Sequence, residues 1–475
     1  MKTCITDKNK GRLRQGAAML FWLALWQLLA AAMDNSLLLP SVLETLSSIS
    51  RLAGTGEFYL NIGWTFLRCA MAMSLSFVIG MAAGWFSHAS SIFRSFMTLP
   101  VGFFKSVPVM AIVIYVILLV HSDWVAVIVC FLMCFPVVYT NVLSGLDSME
   151  QGLLEVAEVY GLTAAQKIRH IYFPGIMTQI KAAIRLTAGL SWKAVVAAEV
   201  LSIPAHSLGY EMIIAKNYME TADLFAYISV IVLLSLVMEK SIDFCLSRWT
   251  YKSYKGSKLI KDKDATLRSK KNEEREAQSF DVSLHGVSKT YGGKDVLTEV
   301  NFRFEGGKVT AVTGPSGRGK TTLARIISGL EEPDKGYVEK KGRLSYLFQE
   351  DRLIPWLNVL DNIALSSIGR GGTTYEEIER MAGCLELSEA LWMLPGKLSG
   401  GMRHRTALGR TFASDADIII LDEPFRGLDK DLKSRIIQKL WREKTEDKTV
   451  IMITHSRTDA VMLSDRTVRF EDFAK

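Results

Sequence analysis

The stretch Gly314-Pro315-Ser316-Gly317-Arg318-Gly319-Lys320-Thr321-Thr322 decides the reading of this 475-residue chain. Its order is glycine, four residues, glycine, lysine, threonine, which is a phosphate-binding loop pattern. Gly314, Gly317 and Gly319 let the backbone curl, so that successive N–H groups point at phosphate oxygens. Lys320 is placed to reach the β- and γ-phosphates of a nucleotide, and the Thr321 hydroxyl to sit on Mg²⁺. The flanks fit as well. Lys308–Thr313 (KVTAVT) reads as a short buried strand, and Thr322–Leu330 (TLARIISGL) as a helix. A helix start with unpaired N–H groups suits an anion, and a chance glycine-rich turn lacks such flanks.

Working outward, composition divides the chain. Hydrophobic residues make up 49%, which is high for a soluble enzyme, and the long apolar runs all lie in the first half. The net charge of +7 raises nucleic acid as a partner, but no basic helix or aromatic-basic motif accompanies it. Cytoplasmic loops and a linker facing an anionic membrane surface account for it instead. Cys4, Cys69, Cys130, Cys134, Cys245 and Cys384 form no metal-binding spacing. They read as small hydrophobes of a reduced compartment.

The first half reads as six membrane spans. A basic head (Lys2, Lys8, Lys10, Arg12, Arg14) precedes an apolar run from Ala17 to Met33. Ala30-Ala31-Ala32 also fits a leader cleavage site, but the run is long enough to stay in the bilayer and further spans follow. The remaining spans are expected at Phe58–Phe86, Val101–Val120, Trp124–Leu143, Ala183–Ile203 and Leu224–Leu246. Arg94, Lys167, Arg169, Lys181, Arg248, Lys252 and Lys255 then all fall on the cytoplasmic side, with the N-terminus. Residues 34–57 lie outside, where Pro40, Glu44 and Leu46 suggest a short amphipathic helix. Ionisable residues within spans need a role. Lys193 and Glu199 are candidates for the substrate path, with snorkelling or interhelical pairing as the plainer reading; Arg68 and Lys105 are weaker candidates.

One cytoplasmic stretch is too long and too patterned for a turn: Glu155–Gly175, EVAEVYGLTAAQKIRHIYFPG. It reads as a helix, a turn at Gly161, and a second helix stopped by Pro174. The spacing of Glu155, Ala157, Gly161, Ile171 and Pro174 resembles the coupling loop of the membrane subunits of ABC importers, with Val156 and Phe173 as mild departures. The order of LLLPSVLETL, this loop and AAEVLSIPAHSLGYEM is similar to permeases of the nitrate/sulfonate/taurine type. The resemblance implies that the segment around Tyr160–Gln166 lodges in a groove of the ATPase.

Residues 253–279 are dense in charge and serine and read as a solvated tether. From residue 280 the pattern is soluble α/β. The segments carrying the resemblance to ABC ATPases are SKTYGG around Tyr291, RLSYLFQE ending near Gln349, LSGGM at Leu398–Met402, IIILDEP at Ile418–Pro424, RGLD ending at Asp429, and VIMIT followed by His455. That resemblance implies that Tyr291 stacks on adenine and that Gln349 contacts Mg²⁺ or the attacking water. It implies that Ser399, Gly400 and Gly401 address the γ-phosphate held by a second copy. Asp422 then holds Mg²⁺ through water, Glu423 polarises the attacking water, and His455 contacts the γ-phosphate. Arg403 and His404 stand where glutamines are usual, while Arg405 is retained.

The expected architecture is multi-domain. An all-α six-helix transmembrane domain (1–252) carries the coupling loop 155–175; the linker 253–279 leads to an α/β P-loop NTPase, the ABC ATPase domain (280–475). Because Lys320 and Ser399 serve different sites, two copies must meet head to tail, which implies a homodimer. The function implied is ATP-driven import of a small solute, a sulfonate or nitrate type of anion, from an extracytoplasmic substrate-binding protein across the inner (plasma) membrane. ATP and Mg²⁺ are the cofactors, and no nucleic acid is involved. The alternative is an exporter or a non-transporting membrane-anchored signalling ATPase. Exporters extend their spans far into the cytoplasm as long helices, whereas the connections here are short.

Overall fold

Helix Gly56–Ala89 shows how the membrane half is built. Its buried positions, among them Phe58, Thr65, Ala72, Ser76, Gly80 and Ser87, recur at three- and four-residue spacing and form one stripe of mostly small residues. That stripe packs on helix Ser122–Asp147. A methyl group at Gly80 would lie 2.8 Å from Val138 Cγ1, and one at Gly84 would lie 2.9 Å from Val142 Cγ1. Close backbone approach through small residues four apart is how helices associate where lipid removes the hydrophobic drive. Large apolar residues such as Val78 and Phe86 occupy the outward face.

The computed structural model describes residues 2–33, 35–252, 280–368 and 374–473, so the expected tether 253–279 lies outside the described residues. The chain divides into two compact units. One holds residues 1–148 and 176–251, and the other 149–175 and 252–475. Residues 149–175 therefore belong with the C-terminal unit rather than with the helices that flank them in sequence.

In the first unit, four helices among the described residues are long and apolar enough to cross a membrane: Gly16–Met33, Gly56–Ala89, Ser122–Asp147 and Thr221–Arg248. The expected third span is broken. Helices Ser91–Ser106 and Val109–Ile117 meet at a 103° bend. Pro108 explains the break, since it drives Val107 to extended backbone (ψ 132°). With this bent pair the count is five. The expected fifth span is a helix, Met177–Ser202, but it carries Lys181, Arg185, Lys193 and Glu199 and is not apolar enough to count by composition. Helix Val42–Ala53 realises the expected amphipathic segment and starts with a capping box between Ser41 and Glu44. Cys69, Cys130 and Cys134 are buried thiols, as their apolar settings suggest.

In the second unit, strands β1 (Val282–Tyr291), β2 (Lys294–Phe304) and β4 (Lys335–Lys340) form an antiparallel sheet ordered β2-β1-β4. The other strands are β3 (Val309–Thr313), β5 (Leu344–Leu347), β6 (Ile418–Asp422), β7 (Thr449–Ile453) and β8 (Arg466–Arg469). They form a five-stranded sheet ordered β5-β6-β7-β3-β8, with every neighbouring pair parallel. β6 and β7 are buried at every position, as uninterrupted runs such as IIIL require of a strand covered on both faces. The carboxyl ends of β3, β6 and β7 emerge side by side, which is where ligands bind in such sheets.

Candidate functional site

The phosphate loop joins β3 to helix Lys320–Ser328. Gly317 (φ 76°) and Gly319 (φ 102°) occupy left-handed backbone, and a methyl at Gly319 would also lie 2.8 Å from Val296 Cγ1. Only glycine fits there. The Lys320 ammonium curls back to donate to the carbonyls of Gly314 (2.8 Å) and Pro315 (2.6 Å). Burial lowers its pKa, against the pull of Glu423 and Asp422. At the end of β6, Asp422 Oδ2 accepts from the Thr321 hydroxyl at 2.9 Å. Burial pushes the Asp422 carboxyl up, the Thr321 bond opposes this, and the neighbouring charge of Glu423 adds to it. Asp422 is thus a desolvated carboxylate that a cation would stabilise, and its pairing with a hydroxyl is an all-oxygen set of the kind Mg²⁺ takes.

His455, following β7, faces the same loop. Its Nε2 lies 3.2 Å from Ser316 Oγ, and its backbone N–H donates to Glu423 Oε1 at 3.1 Å. Glu423 holds a left-handed backbone (φ 56°), a conformation that costs about 1–3 kcal/mol in a non-glycine residue and clusters at functional sites. The sheet thus brings together the phosphate loop, Thr321, Asp422, Glu423 and His455, residues up to 139 apart in sequence. Arg318 lies at the rim, 4.0 Å from Glu471. Tyr291 is half exposed at the end of β1. Its hydroxyl donates to Glu331 and meets the Thr322 side chain, which ties it to the loop. Burial and the Glu331 carboxylate push this phenol up to about 12.

Gln349 is exposed just past β5, and its carbonyl accepts from Arg426 at 3.5 Å. Ser399 caps helix Gly400–Phe412, its Oγ accepting from Met402 N–H at 3.2 Å. Ser399 and Gly400 are exposed, and Gly401 is half-buried. Asp429 caps the next helix through Leu432 N–H at 2.8 Å.

The coupling segment is built into the same unit. Helix Gln151–Val159 ends at Gly161 (φ 64°), and the Leu162 N–H returns to the Ala157 carbonyl at 2.9 Å. Ala157 is fully buried, so a larger side chain has no room. Glu155 takes a bidentate pair from Arg325 of the phosphate-loop helix, at 2.8 and 3.0 Å, and a further bond from Arg352. Burial works to raise its pKa, but the two guanidinium groups win and hold it below the usual carboxylate range. Tyr160 is buried with its hydroxyl 3.4 Å from the Tyr346 carbonyl and from Thr411 Oγ1, under the guanidinium of Arg410.

The second helix runs from Ala164 through a π-turn, Ile168–Tyr172, and ends at Gly175, one residue past Pro174. Proline cannot donate to the His170 carbonyl four residues back. The Trp356 indole N–H donates to it instead, at 2.8 Å. Trp356, Arg325 and Arg352 escaped the sequence reading. The tryptophan seven residues past Gln349 was the available signal.

The structure does not bring Lys193 and Glu199 together as one site. Glu199 is fully buried and bonded to Arg68 (2.9 Å), Thr65 (3.0 Å) and the Gly209 N–H (3.3 Å). These partners make Glu199 part of an interhelical network, the plainer of the two expected readings. Lys193 is exposed on the same helix.

Comparison with known proteins agrees with both halves. The family model described as "ABC transporter" matches residues 297–426. The one described as "Binding-protein-dependent transport system inner membrane component" matches residues 76–246. An aliphatic sulfonates import ATP-binding protein of Rhodococcus jostii is 39% identical over 198 residues, 40% of this chain and 79% of that protein. One from Pseudomonas aeruginosa is 32% identical over 210 residues, 42% of this chain and 75% of that protein. A solved dimeric bacterial ABC transporter cassette is 30% identical, covering 40% of this chain and 93% of its own, with a TM-score of 0.36.

Proposed function

Because this chain belongs to the ABC transporter family and joins an importer-type permease domain to an ABC ATPase, we propose that it is one half of an ATP-driven importer. Two copies form the transporter, each supplying one permease and one ATPase. The chain is membrane-embedded; we place it in the inner membrane with its N-terminus and ATPase in the cytoplasm. The domain plan is a permease over 1–252, a tether over 253–279 and an ATPase over 280–475, with the coupling segment seated in the ATPase.

The phosphate loop wraps the nucleotide phosphates, with Lys320 turning from its own carbonyls to the β- and γ-phosphates. Thr321, Gln349 and, through water, Asp422 would hold Mg²⁺, which when bound would neutralise charge on the phosphates. Glu423 polarises the attacking water, and His455 steadies the γ-phosphate. Tyr291 stacks on adenine. Ser399, Gly400 and Gly401, exposed at a helix start, address the nucleotide of the other copy. ATP therefore bridges the two ATPases, and hydrolysis removes the bridge.

The observation that carries this reading is the seating of Glu155 between Arg325 and Arg352. It links a segment of the permease sequence to the phosphate-loop helix. The sulfonate-import names of the relatives support an aliphatic sulfonate or similar small oxyanion as solute, delivered by an extracytoplasmic binding protein.

The test is reconstitution in liposomes together with an aliphatic-sulfonate-binding protein. ATP-dependent accumulation of an aliphatic sulfonate is expected, and efflux without uptake overturns import. Glu423→Gln is expected to abolish turnover while ATP still binds; normal turnover in that variant defeats the catalytic assignment.

A further inference from the structure

His404 sits one turn into helix Gly400–Phe412 and is nearly buried. Both of its ring nitrogens face acceptors. Nδ1 lies 3.0 Å from the Asp351 carboxylate, and Nε2 lies 3.0 Å from the Pro424 carbonyl. A neutral imidazole has one N–H. Whichever nitrogen carries it, the ring spans the Asp351 carboxylate and the Pro424 carbonyl, one group from each of two loops.

Each acceptor matters to the site. Pro424 directly follows Glu423, whose left-handed backbone persists only while its surroundings hold it. The Glu423 N–H is tied to the Ile453 carbonyl (2.9 Å), and the Glu423 carbonyl accepts from Arg426 N–H (3.1 Å). The His404 bond is the tie on the next carbonyl. Asp351 lies two residues past Gln349. Its backbone carbonyl, and that of Arg352, accept from the buried guanidinium of Arg410 at 2.9 and 2.8 Å. One helix, through His404 and Arg410, thus grips the loop after β5 and the loop after β6 together.

We propose that His404 is a positioning residue for Glu423: its ring, held between the Asp351 carboxylate and the Pro424 carbonyl, locks the Glu423–Pro424 turn to the Gln349–Arg352 loop and to the helix that begins at Ser399. This rests on the reading of Glu423 as the group that polarises the attacking water. What it needs is a donor from residue 404 to the Pro424 carbonyl, with residue 351 orienting that side chain. In the double variant Asp351→Asn/His404→Gln, the asparagine amide donates to the glutamine carbonyl and the glutamine amide donates to Pro424.

The experiment is ATPase kinetics of the full chain in lipid nanodiscs. His404→Ala is expected to lower kcat at least tenfold with the ATP KM within about twofold, since neither the phosphate loop nor Tyr291 touches the ring in the described contacts. Asp351→Asn alone, whose amide donates to Nδ1 and leaves the Nε2 proton on the Pro424 carbonyl, is expected to keep kcat within about threefold, and to add nothing in the His404→Ala background. The double Asp351→Asn/His404→Gln variant is expected to recover kcat to within about threefold. Wild-type kcat in His404→Ala, or failure of the double variant to recover a kcat that His404→Ala has lost, overturns the proposal. Glu423→Gln in the same assay separates the two levels. If it keeps turnover, the underlying assignment fails and takes this one with it. If it abolishes turnover while His404→Ala does not, only the role of His404 falls.

Discussion

Replacing Glu155 with alanine removes the carboxylate that Arg325 and Arg352 share. Truncating one partner of a fully buried ion pair costs about 3–5 kcal/mol, and an exposed pair is worth about 0–1. The side chains here are intermediate: Glu155 is 11% exposed, Arg325 24% and Arg352 19%. Arg325 also keeps Glu331 at 3.3 Å. We therefore expect a loss of about 2 kcal/mol in the docking of the segment, close to 30-fold in its opening equilibrium. Hydrogen exchange reads this directly. The Leu162 N–H, held by the Ala157 carbonyl in the docked turn, should exchange about 30-fold faster in Glu155→Ala. Nucleotide affinity should stay within a few-fold, because Glu155 does not touch the phosphate loop itself, while solute taken up per ATP hydrolysed should fall. Unchanged protection across residues 156–162 would refute the argument that this ion cluster anchors the segment.

Other expectations follow from the same geometry. Lowering pH should release the segment only in acid: a carboxylate held below its ordinary value, 4.5, stabilises above that value and loses the contribution as pH falls through the lowered one. Exchange protection corrected for intrinsic rates should thus be flat from about pH 8 to 5 and decline well below 4.5; a decline already near pH 6 would contradict this. Trp356→Phe takes the N–H donor from the His170 carbonyl and should cost about 1–2 kcal/mol, measured as earlier melting and faster exchange over 168–175. Gly84→Val drives methyl groups into Val142, and overpacking of about 1–3 kcal/mol should lower the melting temperature in detergent. Gly63→Ala, which meets no atom within 4 Å, is the control expected to leave it unchanged.

The nucleotide site was largely legible in the sequence because its chemistry is local. A phosphate loop needs particular residues at fixed spacing, and a strand such as IIILD delivers its last residue to a known edge of the sheet. The folded chain places Thr321, Asp422, Glu423 and His455 within reach of one another, as those motifs imply. The spans were legible where length and apolarity agree. They were not where charge and backbone intervene: the bend at Val107–Pro108 breaks one, and Met177–Ser202 carries four charged residues. The partners of Glu155 and His404 were not legible. An ion pair between residues 155 and 325, or a ring braced by residues 351 and 424, depends on which elements the sheet makes neighbours, and single-residue patterns carry no such information. Glu199 shows the converse: its sequence signal, a charge in an apolar run, is identical for a ligand-binding group and for a satisfied internal pair.

The coupling segment shares a hydrophobic core with the ATPase. Val156, Ala157, Tyr160 and Ile171 belong to the same buried cluster as Leu323, Ile327, Tyr346 and Phe348. An excised fragment starting at residue 280 would expose those ATPase side chains to water, leaving a sticky scar on its surface. Any recombinant version made for isolated study should graft residues 149–175 back on, or replace the bared apolar positions with polar ones, to remain monodisperse.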